Sequence, residues 1–194
     1  MPKQIDREER RREIVVAAIA ELAESGLQKF SLKNVGGRVG GSVTMVTHYF
    51  RSRDELFAEL LTEFIREGDE TLRDLRGIDD PEARLRVMLD YFLLTDPGDV
   101  VTERARMALH GHGTVFDVTQ YFSQLEPAMR AVVRVGVEGV VSPANVERAV
   151  NFVRLWSSGL ALSVVEHPEL WGERQQRDSA DAVAELLRAW GPPV

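Results

Sequence analysis

Four histidines, thirty-one carboxylates, twenty-four lysines and arginines and no cysteine bound the chemistry open to this chain. Without a thiol there is no disulfide, thiolate nucleophile or cysteine metal ligand, a composition that fits a reducing compartment. His110-Gly111-His112 invites a metal, but side chains two apart on a helix point to different sides. No carboxylate cluster accompanies the pair, so no metal is expected, and His110 reads as a polar lining or a core histidine. Glu166-His167 precedes Pro168 and reads as a helix end rather than a catalytic dyad. There is no glycine-rich phosphate loop, nucleophile elbow or acid pair at useful spacing. No catalytic residue and no cofactor is expected, and an enzyme is not the reading.

Recognition chemistry is better supplied, in the stretch from Ser31 to Arg53, SLKNVGGRVGGSVTMVTHYFRSR. Two short apolar-patterned segments flank Gly40-Gly41, and each opens with a serine, Ser31 or Ser42, able to accept from backbone N–H groups of a first helical turn. A turn so short forces the second helix steeply across the first, the helix-turn-helix geometry whose second helix fits the major groove of DNA. Ser52-Arg53-Asp54-Glu55 is a capping box that starts the next helix, with Ser52 as cap and Glu55 reaching back.

The run Val39-Gly40-Gly41-Ser42-Val43-Thr44-Met45-Val46-Thr47-His48-Tyr49-Phe50, with Arg51-Ser52-Arg53 and Leu56, resembles the recognition region of TetR-type transcriptional regulators. Ile14, Ala17, Ala18, Leu22, Gly26, Phe30 and Ser31 extend the likeness upstream, over about the first 60 residues. The resemblance implies base contacts from Val43, Thr44, Thr47 and Lys33. Lys33 can donate to guanine O6 and N7, and the valine and threonine methyls can pack on thymine methyls. Phosphate contacts fall to Ser31, His48, Tyr49 and the helix start at Ser52 and Arg53, and Ser42 is also expected at the DNA. Two positions depart from the family: Gly41 replaces a usual valine, which loosens the turn, and Thr47 replaces a usual tyrosine, which removes an aromatic contact.

Charge divides the same way. Residues 1–53 carry ten Lys/Arg against six Asp/Glu, and residues 54–194 carry fourteen against twenty-five. A basic head on an acidic body is expected if only the head approaches phosphates. Arg10-Arg11-Arg12 either neutralises phosphate or lies on a solvated face among Glu8, Glu9 and Glu13. No apolar run reaches a membrane span and the N-terminal stretch is charged rather than signal-like, so a cytoplasmic location and no membrane partner are expected.

The elements that position these residues are all helical by period. Helices are expected at about 7–25, 32–39, 43–49, 52–75, 82–95, 100–110, 115–140 with a bend near Pro127, 144–166 and 179–190. Asp96-Pro97-Gly98 is expected as a turn, and Ser142-Pro143 as a cap followed by proline. The expected division is a helix-turn-helix domain at 1–53 and a helical effector-binding and dimerisation domain at 54–194. The helix from Ser52, roughly 35 Å long at 1.5 Å per residue, is expected to act as a lever with its softest point at Gly68.

Met88, Tyr91, Phe92, Met107, His110, Phe122, Phe152 and Trp156, with Phe116 and Tyr121 nearby, are either simple core or the lining of an apolar cavity. The TetR resemblance implies the cavity, since C-terminal domains of that family commonly bind small effectors. The helix at 144–166 is apolar nearly all round, which requires cover on two sides. Leu155, Gly159, Leu162, Val183, Leu187 and Trp190 are therefore expected to meet a second copy of the chain. The expectation is a homodimeric repressor of a palindromic operator in double-stranded DNA, released by a small molecule. A helical dimer that no longer reads DNA is the alternative.

Overall fold

The apolar spacing becomes nine α-helices and no β-strand among the described residues. The structure is a computed structural model that describes residues 7–110 and 118–191, apart from the side chains at 110, 118–122 and 124. The helices are α1 (Arg7–Lys29), α2 (Leu32–Arg38), α3 (Val43–Tyr49), α4 (Arg53–Arg76), α5 (Pro81–Tyr91), α6 (Pro97–His110), α7 (Val118–Val137), α8 (Val146–Glu166) and α9 (Glu173–Ala189). The expected all-α class, with an N-terminal helix-turn-helix, is the observed one.

Several boundaries differ for local reasons. Asp96-Pro97-Gly98 is a helix start, not a turn: the Asp96 carboxylate accepts from the Gly98 N–H at 2.7 Å, as Asp80 accepts from Glu82 and Ala83 at the head of α5. Helix α9 begins at Glu173, six residues ahead of expectation. Its first turns lack an apolar stripe and are held instead by the Arg177–Glu173 pair at 2.9 Å and by buried Gln176. That glutamine accepts from the Leu94 N–H at 2.8 Å and donates to the Leu94 and Trp171 carbonyls. Ser142 makes no side-chain cap, and a short 3₁₀ turn at Pro143–Asn145 precedes α8. Helix α7 continues through Pro127.

The described residues fall into two compact units, one within Met1–Phe64 and Val101–Tyr121, the other within Ile65–Val100 and Phe122–Val194. The first buries Ile14, Ala18 and Leu22 of α1, Val35 of α2, Val46 of α3, Phe50, and Leu56, Phe57 and Leu60 of α4. Phe30 packs on Phe57 with ring centroids 4.9 Å apart. The second buries Leu75, Leu85, Met88, Val132, Val133, Val137, Val150, Val153 and Leu187 in one core. Each of these side chains larger than alanine contributes about 1.5–3 kcal/mol by leaving water.

Gly68 does not lie at a free point along α4. It is buried, and a Cβ there would sit 2.6 Å from the Met129 methyl. Its lack of a side chain lets α7 approach closely, so packing rather than softness accounts for this glycine.

Candidate nucleic-acid interface

Helix α2 is short and carries Gly36 and Gly37, each unfavourable by about 1 kcal/mol relative to alanine in a helix. Its geometry therefore comes from what grips it. On one side Gly36 admits the turn: a Cβ there would lie 2.7 Å from both the carbonyl carbon and oxygen of Ser42. The Gly41 N–H closes the turn onto the Gly36 carbonyl at 2.9 Å, and Gly40 takes the left-handed φ of 67° that a side chain resists. Gly41 is covered by the Met45 thioether, whose sulfur lies 2.6 Å from the place a Cβ would take. Methionine thus fills the space a larger residue would need.

On its other side α2 is held by Glu21 of α1, a carboxylate with only 2% exposure. Glu21 accepts from Asn34 at 2.8 Å and Ser25 at 3.1 Å through Oε1, and from Arg38 at 3.3 Å through Oε2. Arg38 also pairs with Glu24, and these bonds, Glu24 first, hold its guanidinium above the ordinary arginine range. Sequence reasoning missed Glu21. The available signal was an acid three residues after Ala18 and seven after Ile14, on the apolar stripe of α1.

The caps only partly follow expectation. Ser42 accepts from the Met45 N–H at 3.4 Å and caps α3, but Ser31 makes no side-chain bond at the head of α2. Ser52 accepts from the Glu55 N–H at 3.1 Å, while Glu55 reaches one residue further back than a capping box requires, to the Arg51 N–H at 2.7 Å.

Helix α3 turns Val46 inward and leaves Val43, Thr44, Thr47 and His48 exposed. Positions three and four apart share a face, so these four form one outward surface. Lys33 and Ser42 are also exposed, and Ser31 and Tyr49 are half-buried, with Tyr49 edge-on to His48 at 5.3 Å. Arg53 differs from the expected phosphate contact. Its guanidinium turns inward to donate to the Leu27 carbonyl at 2.5 Å and lies 5.1 and 5.0 Å from the Phe30 and Phe57 ring centres. Its buried Nε has no partner among the described residues. Lys29, Lys33 and Arg51 are exposed and carry no ion pair among the described residues, so they are among the cations this unit offers to an anion.

The expected effector residues are spread over both units. Met88, Tyr91, Phe92, Phe152 and Trp156 lie in the second unit, and Met107 lies in the first with the backbone of His110. The side chains of His110, Tyr121 and Phe122, and all of Phe116, lie outside the described residues. Met88 is fully buried, and Tyr91 Oη meets the Met129 sulfur at 3.8 Å. Phe92 stands edge-on to Trp156 and Phe152 to Trp190, while Trp156 Nε1 donates to Ser179 Oγ at 2.7 Å.

Of the residues expected to face a second copy, Leu155 is 75% exposed and Leu162 46%, with exposed Gly159 between them. Trp190 is half-buried beneath the Arg148 guanidinium, 4.3 Å from its ring centre. Val183 and Leu187 differ: at 5% and 0% exposure they are spent on the chain's own core, and Leu186 is the leucine that α9 exposes. Among the described residues no helix is long and apolar enough to cross a membrane, and no three His, Asp or Glu residues could hold a metal ion.

A basic-headed, tightly turned three-helix unit with one exposed reading face defines a helix-turn-helix DNA-binding domain in an all-helical protein. Residues 14–60 match the family of bacterial regulatory proteins, tetR family. The HTH-type transcriptional regulator PksA of Bacillus subtilis (strain 168) is 32% identical over 92 residues, 46% of this chain and 45% of that protein. BetI of Yersinia pestis (strain Pestoides F) is 29% identical over 93 residues, 46% and 47% of the two chains. The matches thus span about half the length of these curated relatives. A transcriptional regulator from Rhodococcus sp. Rha1 shares the fold over 95% of this chain and 98% of its own, with a TM-score of 0.79 at 20% identity. Residues 14–60 thus carry the helix-turn-helix domain of the tetR family of bacterial regulatory proteins, and the chain shares its fold with a solved transcriptional regulator.

Proposed function

We propose that this chain is a TetR-type transcriptional repressor that binds a palindromic operator as a homodimer and leaves it when a small molecule binds. The observation that carries the reading is the exposed surface of Lys33, Val43, Thr44, Thr47 and His48 beside a turn closed by Gly36. Lys33, Val43, Thr44 and Thr47 contact base edges, while Ser31, Ser42, His48, Tyr49 and the free cations Lys29 and Arg51 contact phosphates. Residues 1–53 serve as the reading head and residues 54–194 as the effector-binding and dimerisation part, in the cytoplasm.

The exposed line of Leu155, Gly159 and Leu162, with Leu186 of α9, supports pairing of two chains through α8 and α9. Pairing places two reading helices roughly 34–36 Å apart, one turn of duplex. An effector that stabilises a different separation weakens binding by its differential affinity for the two states. The test is selection of bound DNA from random duplexes, with and without a panel of small metabolites. Enrichment of a palindrome that some compound abolishes supports the whole reading. Enrichment unaffected by every compound leaves a DNA-binding dimer without the release step, and no enrichment removes the function.

A further inference from the structure

Helix α3 is only two turns long, too short to hold its own direction. Its angle is set by what fixes its ends. The N-terminal end has Ser42 and the close contact at Gly36. The C-terminal end is held by a residue that neither the DNA surface nor the core accounts for. Arg11 of α1 donates from Nη1 to the carbonyl of Tyr49, the last residue of α3, at 2.9 Å. Its Nη2 donates to Glu59 of α4 at 2.8 Å. The guanidinium carbon lies 4.4 Å from the centre of the fully buried Phe50 ring.

We propose that Arg11 is a positioning residue for DNA recognition, fixing the C-terminal end of the reading helix against α1 and α4 at once. This role rests on the DNA-reading function proposed above. The physical case is threefold. The carbonyls of a last helical turn lack intrahelical donors, and a cation there also meets the negative end of the helix dipole. The guanidinium presents its donors in a rigid planar fork and stacks on aromatic rings, so one group serves three partners in a fixed geometry. A lysine ammonium is a compact point charge and cannot reproduce that fork. The neighbours do other things: Arg10 pairs with Glu13, and Arg12 is exposed with no ion pair among the described residues.

A phosphate contact and a positioning residue leave different signatures. Losing a phosphate contact weakens all duplexes alike and lowers the salt slope by roughly one. Losing the grip on α3 misplaces base contacts, so it lowers affinity for the preferred duplex and leaves shuffled DNA and the salt slope unchanged.

The experiment uses the full chain and, as probes, the duplex most enriched by the wild type from a random pool and a shuffled duplex of the same composition. Binding is followed by fluorescence anisotropy across a potassium chloride series, with the folded fraction checked by circular dichroism. Arg11→Met is expected to lose about tenfold on the enriched duplex and nothing on the shuffled one, at constant slope. Arg11→Lys should recover part of the loss. Equal losses on both duplexes with a shallower slope would make Arg11 a phosphate contact and overturn the proposal. So would unchanged discrimination in a folded Arg11→Met protein. Should Arg11→Met fail to fold, Glu59→Gln loosens the same grip while keeping the arginine, and intact discrimination in that variant overturns the role. A wild type that enriches no duplex overturns the DNA-reading function itself, and the role with it.

Discussion

Gly36 and Gly37 are adjacent, in the same short helix, and alanine at the two positions should act in opposite directions. Replacing glycine by alanine inside a helix gains about 1 kcal/mol from backbone propensity. At Gly37 a Cβ would meet nothing within 4 Å, so the gain is kept whole. For a chain of 194 residues that raises the melting temperature by roughly 2–4 °C. At Gly36 the Cβ would lie 2.7 Å from Ser42 backbone atoms and 3.1 Å from the Val43 nitrogen. Backbone cannot rotate away as a side chain does, so the turn itself has to shift, and forced overpacking costs about 1–3 kcal/mol. The net expectation is a loss of up to about 2 kcal/mol, after the propensity gain is set against the clash. The displaced atoms head α3, so Gly36→Ala should also weaken binding to the enriched duplex while Gly37→Ala leaves it intact. Urea denaturation and anisotropy on both variants make the comparison. Equal stabilisation by the two alanines would show that the turn tolerates a Cβ, and the close-approach argument for Gly36 would fail.

Lys33→Ala and Thr47→Ala should each reduce discrimination between enriched and shuffled duplexes by about 1–3 kcal/mol, read by anisotropy; equal losses on both DNAs would assign these residues to phosphate. Leu162→Glu should convert a dimer into folded monomers in light scattering, whereas Leu187→Glu, placing a charge at 0% exposure, should unfold the chain; a wild type that is monomeric at micromolar concentration would refute the interface. Glu21→Leu removes the acceptor shared by Asn34 and Ser25 and one of the two carboxylates that hold Arg38, and should cost about 1–3 kcal/mol in denaturant titrations. Adding Asn34→Leu and Arg38→Met should restore part of that loss, and a triple variant no more stable than Glu21→Leu alone would show that the three groups do not act together.

The sequence by itself determined the helical class, most helix positions and the reading unit. Those signals are local: apolar period, glycine pair, serine and aspartate caps, proline starts. It also placed Val43, Thr44, Met45, Thr47 and His48 on or near the outer face of α3, because 3.6 residues per turn fixes which positions oppose Val46; all are exposed but Met45, which is half-buried over Gly41. The start of α9 was not legible, since its first turns are stabilised by Gln176 reaching Leu94, eighty-two positions away, rather than by an apolar stripe. Tertiary structure alone divided the arginines. Arg11, Arg38 and Arg53 look alike in a charge count, yet they are committed to Tyr49 and Glu59, to Glu21 and Glu24, and to Leu27, whereas Lys29, Lys33 and Arg51 stay exposed without an ion pair among the described residues. It alone turned Leu187 inward and Leu186 outward, and made Gly68 a packing contact with Met129. The physical reason is the same each time: a long or absent side chain takes its meaning from atoms far away in sequence, and no local pattern records what they are.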